Sequence, residues 1–122
     1  MRRPERLAEA LREEITEVVG FEMEDPRLLA VTVTDVVVSE SLREAKVFVL
    51  IQGDENEIKE ALKALQHAAS FVRQQVTLNL DLNHAPILHF VRDTVEENAA
   101  RVNELLQGLE QKSEIEKRMN DE

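Results

Sequence analysis

Residues 61–82 constrain the fold more than any other stretch of this sequence. An apolar pattern with helical spacing enters the stretch, is interrupted by three small residues at 68–70, and then resumes. The apolar residues with this spacing are Ile58, Leu62, Leu65, Val72 and Val76. Small side chains let backbones approach closely and leave room for a kink. The pattern therefore predicts two helices that meet at 68–70.

The apolar period changes directly after this pair of helices. Leu78, Leu80 and Leu82 alternate with polar residues, and such alternation is typical of a half-buried strand. Residues 83–86, which end in a proline, interrupt the strand. It resumes beyond the proline, with either Leu88 and Phe90 or Ile87 and Val91 as its inward residues.

The first half of the chain predicts a helix followed by a β-hairpin. An apolar helical stripe runs from Leu7 to Val19, and Gly20 closes it. A strand begins at Leu29, and its apolar parity shifts at Asp35, which predicts a bulge there. A second alternating strand covers residues 45–51, so the two strands form an antiparallel hairpin.

Capping signals mark the start of two further helices. Asp54 precedes Glu57 by three residues, which is the spacing of a capping box and starts the helix that enters the central stretch. Thr94 precedes Glu97 in the same way, and an apolar stripe to Leu109 predicts a C-terminal helix. We expect one domain over residues 1–108 and a charged tail over residues 109–122.

Composition narrows the class of protein. The 122 residues are 43% hydrophobic, which suits one α+β domain with a modest core. The formal net charge of −10 argues against a general nucleic-acid binder, because phosphate contacts need a surplus of Lys and Arg. The sequence has no cysteine and no apolar run long enough to span a membrane, so we expect a soluble, cytoplasmic protein.

Several segments together resemble the bacterial ribosome-binding factor A family. The most specific are DPRL at residues 25–28 and LRxAKV at residues 42–47; the 31–36, 61–73 and 86–90 segments follow in the family's order. The resemblance spans residues 3–106. It implies a KH-like (type II) domain of order α-β-β-α-α-β, with a three-stranded sheet, helices on one of its faces and an additional C-terminal helix.

The resemblance also implies a function. Members of the family bind the free small (30S) ribosomal subunit and assist 16S rRNA maturation, without enzymatic activity, and we expect no cofactor and no metal in this chain. We accordingly expect a cytoplasmic monomer whose partners are the small subunit and its 16S rRNA. The alternative is a protein-interaction module that keeps the KH-like fold but has lost RNA binding.

KH domains hold a nucleotide backbone at a Gly-x-x-Gly loop between two helices. In this family an Ala-x-Gly kink replaces the loop, and Ala68-Ala69-Ser70 occupies the matching positions here. Ser70 is then expected to cap the second helix and donate its hydroxyl to a phosphate. The rRNA-binding residues that the resemblance implies are Arg27, Arg43, Lys46, Lys63, Ala68, Ala69, Ser70 and Arg73.

The chain departs from the family in its charge. Between 68–70 and the last strand it carries few cations, so we expect weak intrinsic RNA affinity. Lys59 is a further candidate phosphate contact, but the sequence does not establish that the cations share a face. Phe71 and Val72 are interpreted as core residues. The three histidines lack the spacing of a metal site, and a catalytic reading would require His84 or His89 in a pocket beside carboxylates.

Overall fold

The computed structural model describes residues 3–94, which form two α-helices and a three-stranded sheet. In chain order the elements are α1 (Arg3–Glu17), a π-helical turn (Val18–Glu22), a 3₁₀ turn (Pro26–Leu28), β1 (Val31–Val38), β2 (Glu44–Ile51), α2 (Glu55–Asn79) and β3 (Ile87–Arg92). The C-terminal helix and the boundary at residue 108 that the sequence predicts lie outside the described residues. No helix within residues 3–94 is long and apolar enough to cross a membrane.

The sheet has the strand order β1-β2-β3 and is mixed. β1 and β2 pair antiparallel as the predicted hairpin, and their register shifts between Val33 and Asp35, which confirms the bulge. β2 and β3 pair in parallel, from Glu44 opposite Ile87 onward. Parallel neighbours need a long crossover connection, and α2 supplies it.

Both helices cover one face of the sheet. Alternate residues of β2 from Ala45 to Ile51 point into a single apolar core, which also contains Leu11 and Ile15 of α1 and Leu65 and Val72 of α2. α1 packs mainly against β1, and α2 packs mainly against β3. The predicted α+β class, with three strands and helices on one face, is therefore confirmed.

The start of α2 confirms the capping box. The Asp54 carboxylate accepts a hydrogen bond from the Glu57 backbone N–H at 2.8 Å, and the Asp54 backbone N–H donates to the Glu57 carboxylate at 3.3 Å. Gly53 precedes this cap with a φ of +142°, a conformation that side-chain-bearing residues rarely adopt. The strand-to-helix connection is therefore short and strongly specified.

The predicted break at 68–70 is wrong, because α2 continues without interruption from Glu55 to Asn79. Ala68 and Ala69 are half-buried and pack against the core, so their small size permits close packing of an intact helix. Alanine is also the strongest helix former. Ser70 lies exposed in the middle of α2, and the expectation that it caps a second helix is wrong.

The predicted strand over Leu78–Leu82 is also wrong, since this segment ends α2. The Leu82 N–H donates to the Thr77 carbonyl at 3.0 Å, and the Asp81 N–H donates to the Leu78 carbonyl at 3.3 Å. Asp81 has a φ of +52°, which completes a Schellman closure of the helix. The third strand lies beyond the proline. Its inward residues are Leu88 and Phe90, which confirms the first of the two predicted alternatives.

Candidate nucleic-acid interface

The unbroken α2 brings its cations onto one side. Lys59 and Lys63 are about one turn apart, Ser70 follows about two turns later, and Arg73 about one turn after that. All four side chains are exposed. At 1.5 Å per residue, the distance from Lys59 to Arg73 along the axis is about 21 Å. We call these four residues the cationic row.

The carboxylates of α2 lie around the cationic row unevenly. Glu57 is on another side of the helix, where it lines a cavity between α2 and the 3₁₀ turn; Glu60 also lines this cavity, but it is three residues before Lys63 and borders the row. Glu55, in the first turn, forms an ion pair with Arg92 of β3 at 3.2 Å. The electrostatic potential beside the row is therefore more positive than the average over this acidic chain.

Arg73 lies at the end of the row and holds the segment that leads into β3. Its Nε and Nη2 donate to the Ala85 carbonyl at 3.0 and 2.9 Å. Ala85 and Pro86 are buried, so this two-pronged contact fixes a buried backbone segment to α2. The acceptor is a neutral carbonyl, so this contact does not balance the charge of the exposed guanidinium. Arg73 can therefore hold the fold together and still attract an anion.

Arg43 also lies beside this segment. It lies just before β2, its side chain is exposed, and its carbonyl accepts a hydrogen bond from the Ile87 N–H at 2.8 Å. The start of β3 is thus held between the backbone of Arg43 and the side chain of Arg73. The fold therefore places Arg43 near the Arg73 end of the cationic row.

Lys46 does not join the row. It lies on β2 between the inward residues Ala45 and Val47, so its side chain starts from the sheet face opposite the helices. Its strand partner on β3 is His89, which is 3.4 Å from the Glu44 carboxylate. The sheet thus separates Lys46 from the cations of α2.

Arg27 is also separate, because Asp25 binds it. Its Nη2 donates to the Asp25 carboxylate at 2.7 Å, Nε contacts both carboxylate oxygens, and its backbone N–H donates to the same group at 3.0 Å. The bonds to Arg27 lower the pKa of the Asp25 carboxyl, and the Asp25 carboxylate raises the pKa of Arg27. Arg27 lies on the Glu60 side of α2, with its charge already balanced.

The predictions that Phe71 and Val72 are core residues have opposite outcomes. Val72 is fully buried, which confirms its placement in the core, whereas Phe71 is substantially exposed and its placement there is wrong. Ala68 and Ala69 face the core and support the row from beneath. Within residues 3–94 no group of His, Cys, Asp or Glu side chains is arranged to hold a metal ion.

A family model described as Ribosome-binding factor A matches residues 3–106. The chain belongs to this family. The curated ribosome-binding factor A of Solibacter usitatus is 44% identical over 105 residues, which cover 86% of this chain and 85% of that protein. That of Thermomicrobium roseum is 47% identical over 109 residues, covering 89% and 84%.

Solved structures agree with the family assignment. The crystal structure of ribosome-binding factor A from Thermus thermophilus superposes with a TM-score of 0.66 at 25% identity, covering 75% of this chain and 97% of that chain. A Thermus thermophilus homology model fitted into the cryo-EM map of a 30S complex gives a TM-score of 0.55 at 29% identity, with 73% and 89% covered. These likenesses confirm the KH-like fold. The family is one of ribosome-binding factors and not a known family of enzymes.

Proposed function

We propose that this protein binds the free small (30S) ribosomal subunit in the cytoplasm and, as a monomer without catalytic activity, assists 16S rRNA maturation. One observation carries the proposal: three cations and a hydroxyl share one exposed side of α2. Support also comes from the Thermus thermophilus relative, which was fitted into the map of a 30S complex.

The cationic row suits contact with the backbone of a folded RNA. Lys59, Lys63 and Arg73 would neutralise phosphates, and the Ser70 hydroxyl would donate a hydrogen bond to a phosphate oxygen. Arg43 would extend the contact beyond Arg73. Such contacts depend on the shape of the RNA and not on its base sequence. Recognition of this kind suits one structured site on a large particle.

We assign the predicted residues three kinds of role. Ser70, Lys63, Arg73 and Arg43 are proposed as direct rRNA contacts, together with Lys59. Ala68 and Ala69 support these contacts by letting α2 pack closely on the core. Arg27 and Lys46 are expected to contribute little to the same contact, because one is paired with Asp25 and the other lies on the opposite sheet face.

Co-sedimentation with purified 30S subunits, compared with assembled ribosomes over a salt series, tests this proposal. Lys59→Glu/Lys63→Glu should weaken binding to free subunits by roughly tenfold or more, because two phosphate contacts become repulsive. Arg6→Glu/Arg12→Glu makes the same change in net charge on the exposed surface of α1 and should have a much smaller effect. Equal losses in both variants would contradict a specific role for the row.

The salt series measures the number of phosphate contacts. Each phosphate contact contributes about −0.7 for a single strand to about −0.9 for a duplex to the slope of log K against log salt, so the four cations predict a slope of about −3. The proposed role in 16S rRNA maturation is tested by replacing the native gene with the Lys59→Glu/Lys63→Glu variant. Unprocessed 16S precursor should then accumulate in free subunits; normal processing in that strain would refute the maturation role.

A further inference from the structure

Four large apolar side chains are exposed where α2 meets the π-helical and 3₁₀ turns. They are Phe21 (83% exposed) in the π-helical turn, Leu29 (84%) after the 3₁₀ turn, and Phe71 (43%) and Leu78 (66%) on α2. We call these four residues the apolar patch. Single exposed apolar residues are ordinary, but a group on one surface marks an interaction site.

The path of the chain places these residues along one surface. Near the end of α2, the Asn79 side chain donates to Glu14 of α1 at 2.6 Å. Toward the N-terminus of α2, the helix contacts the π-helical turn and then the 3₁₀ turn. Pro26 and Arg27 of the 3₁₀ turn line a cavity with Glu57 and Glu60. The segment from Glu14 to Arg27 therefore runs antiparallel along α2.

Phe71 and Leu78 continue the side of α2 on which Glu60 lies. Glu60 and Phe71 are about three turns apart, and Phe71 and Leu78 are about two turns apart, so the three point the same way. Phe21 belongs to the π-helical turn that packs against α2. Phe21 and Phe71 thus are exposed aromatic residues of two segments that pack against each other.

The two segments that carry the apolar patch also carry several exposed carboxylates. Glu17, Glu22 and Glu24 are exposed on the segment that runs along α2, and Glu57 and Glu60 face it from the helix. The cavity between the 3₁₀ turn and α2 has a volume of about 310 Å³. The guanidinium of Arg27 lines this cavity but is held by a neighbouring carboxylate, so its charge is already balanced. The surface combines apolar anchor sites with a negative rim.

We propose that this surface binds a basic protein segment of the small ribosomal subunit. The segment would place an apolar side chain between Phe21 and Phe71, and its Lys or Arg side chains would meet Glu22 and Glu60. Apolar anchors surrounded by complementary charge are the usual composition of a protein interface. This inference rests on the proposed ribosomal function and adds a protein contact on the side of α2 next to the rRNA contact.

Two other occupants fit this surface less well. RNA would bring phosphates against at least four glutamates, and the arginine that lines the cavity already binds Asp25. A second copy of this chain in a two-fold contact would bring the same acidic rim against itself. A basic polypeptide is the occupant that satisfies both the apolar and the charged parts of the surface.

The test measures binding of the full chain to each basic protein of the small subunit, purified individually and free of RNA, by fluorescence anisotropy. At least one protein should bind, and Phe21→Ser/Phe71→Ser should raise its Kd roughly tenfold or more, as loss of interface anchors does. Glu22→Lys/Glu60→Lys should also raise the Kd. Leu50→Ser/Ile87→Ser alters two half-exposed apolar residues of the opposite sheet face and is the matched control, expected to bind normally.

All substituted side chains are exposed, so we expect each variant to retain the fold. Amide NMR spectra of the variants check this. The inference is overturned if none of the purified proteins binds, if the patch variant binds like the control, or if the wild-type chain forms dimers that Phe21→Ser/Phe71→Ser abolishes. It is also overturned if a 16S rRNA fragment shifts the Phe21 and Phe71 signals and the proteins do not. Wild-type binding to intact 30S subunits, measured in parallel, separates these outcomes from failure of the proposed function.

Discussion

Arg73 offers the sharpest separation of a structural role from an RNA-binding role. Its guanidinium makes two hydrogen bonds to the carbonyl of the buried Ala85, at 3.0 and 2.9 Å. Arg73→Ala leaves this carbonyl without its partner, and an unsatisfied buried acceptor costs about 1–3 kcal/mol. Arg73 itself is exposed, so water can replace part of the contact. We therefore expect the free energy of unfolding to fall by about 1–2 kcal/mol, in the lower part of that range.

Arg73→Lys keeps the positive charge but loses the planar fork that holds one carbonyl with two nitrogens. We expect it to lose part of this stability while keeping most of its affinity for 30S subunits, because phosphate attraction depends on charge. Urea denaturation measures the first quantity and co-sedimentation the second. Lys63→Ala is the control: it should change stability by less than about 0.5 kcal/mol, as exposed substitutions usually do. If Arg73→Ala is no less stable than Lys63→Ala, the contact with Ala85 does not stabilise the fold.

Further predictions concern the core, the helix cap and the acidic turn. Leu65→Ala, at a fully buried position of α2, should lower the free energy of unfolding by about 2–5 kcal/mol in urea denaturation. Asp54→Ala removes the α2 cap and should cost about 1 kcal/mol in the same assay, and a loss as large as that of Leu65→Ala would contradict a purely local role. Because Arg27 lowers the folded-state pKa of Asp25, the stability from this pair is present above the unfolded pKa of about 3.9 and is lost as pH falls through the lower folded value. A carboxyl NMR titration should show the depressed pKa, and Arg27→Gln should return it toward the ordinary value.

The antiparallel pairing of β1 and β2 was predictable from the sequence, because periodicity and turn chemistry act over a few residues. The shift of apolar parity at Asp35 was sufficient to place the bulge, and the Asp54–Glu57 spacing was sufficient to place the cap. Both features depend on neighbours within the same segment. The hairpin follows from them once two alternating strands lie close in sequence.

The end of α2 was not predictable in the same way. Alternation over only Leu78–Leu82 fits a strand, but it also fits a helix whose last turn exposes Leu78 and whose Schellman closure brings Leu80 and Leu82 back to the core. The choice depends on Asp81 adopting a positive φ, which Asp tolerates better than most residues. At 68–70, small residues are compatible with either a kink or close packing, and the surrounding core determines which occurs.

The residue types at the candidate site were predictable, but their arrangement was not. The sequence predicts RNA contacts at Lys63, Ser70 and Arg73 beside a kink, whereas the absence of a kink is what aligns them with Lys59. The acceptor of Arg73, the Ala85 carbonyl, belongs to a loop whose position depends on the parallel pairing of β2 and β3. No local sequence signal identifies that contact.

The distribution of charge around α2 reconciles the net charge of −10 with contact to a polyanion. Affinity for RNA depends on the cations that meet phosphates and on the anions within about a Debye length, which is roughly 8–10 Å at physiological salt. Glu57 faces the cavity instead of the cationic row, Glu55 is already paired with Arg92, and Glu60 is the one carboxylate of α2 that borders the row. The acidic side of the protein then disfavours binding to arbitrary RNA and favours a basic protein. A particle that presents an RNA surface and a basic protein side by side is therefore bound more tightly than RNA or protein alone.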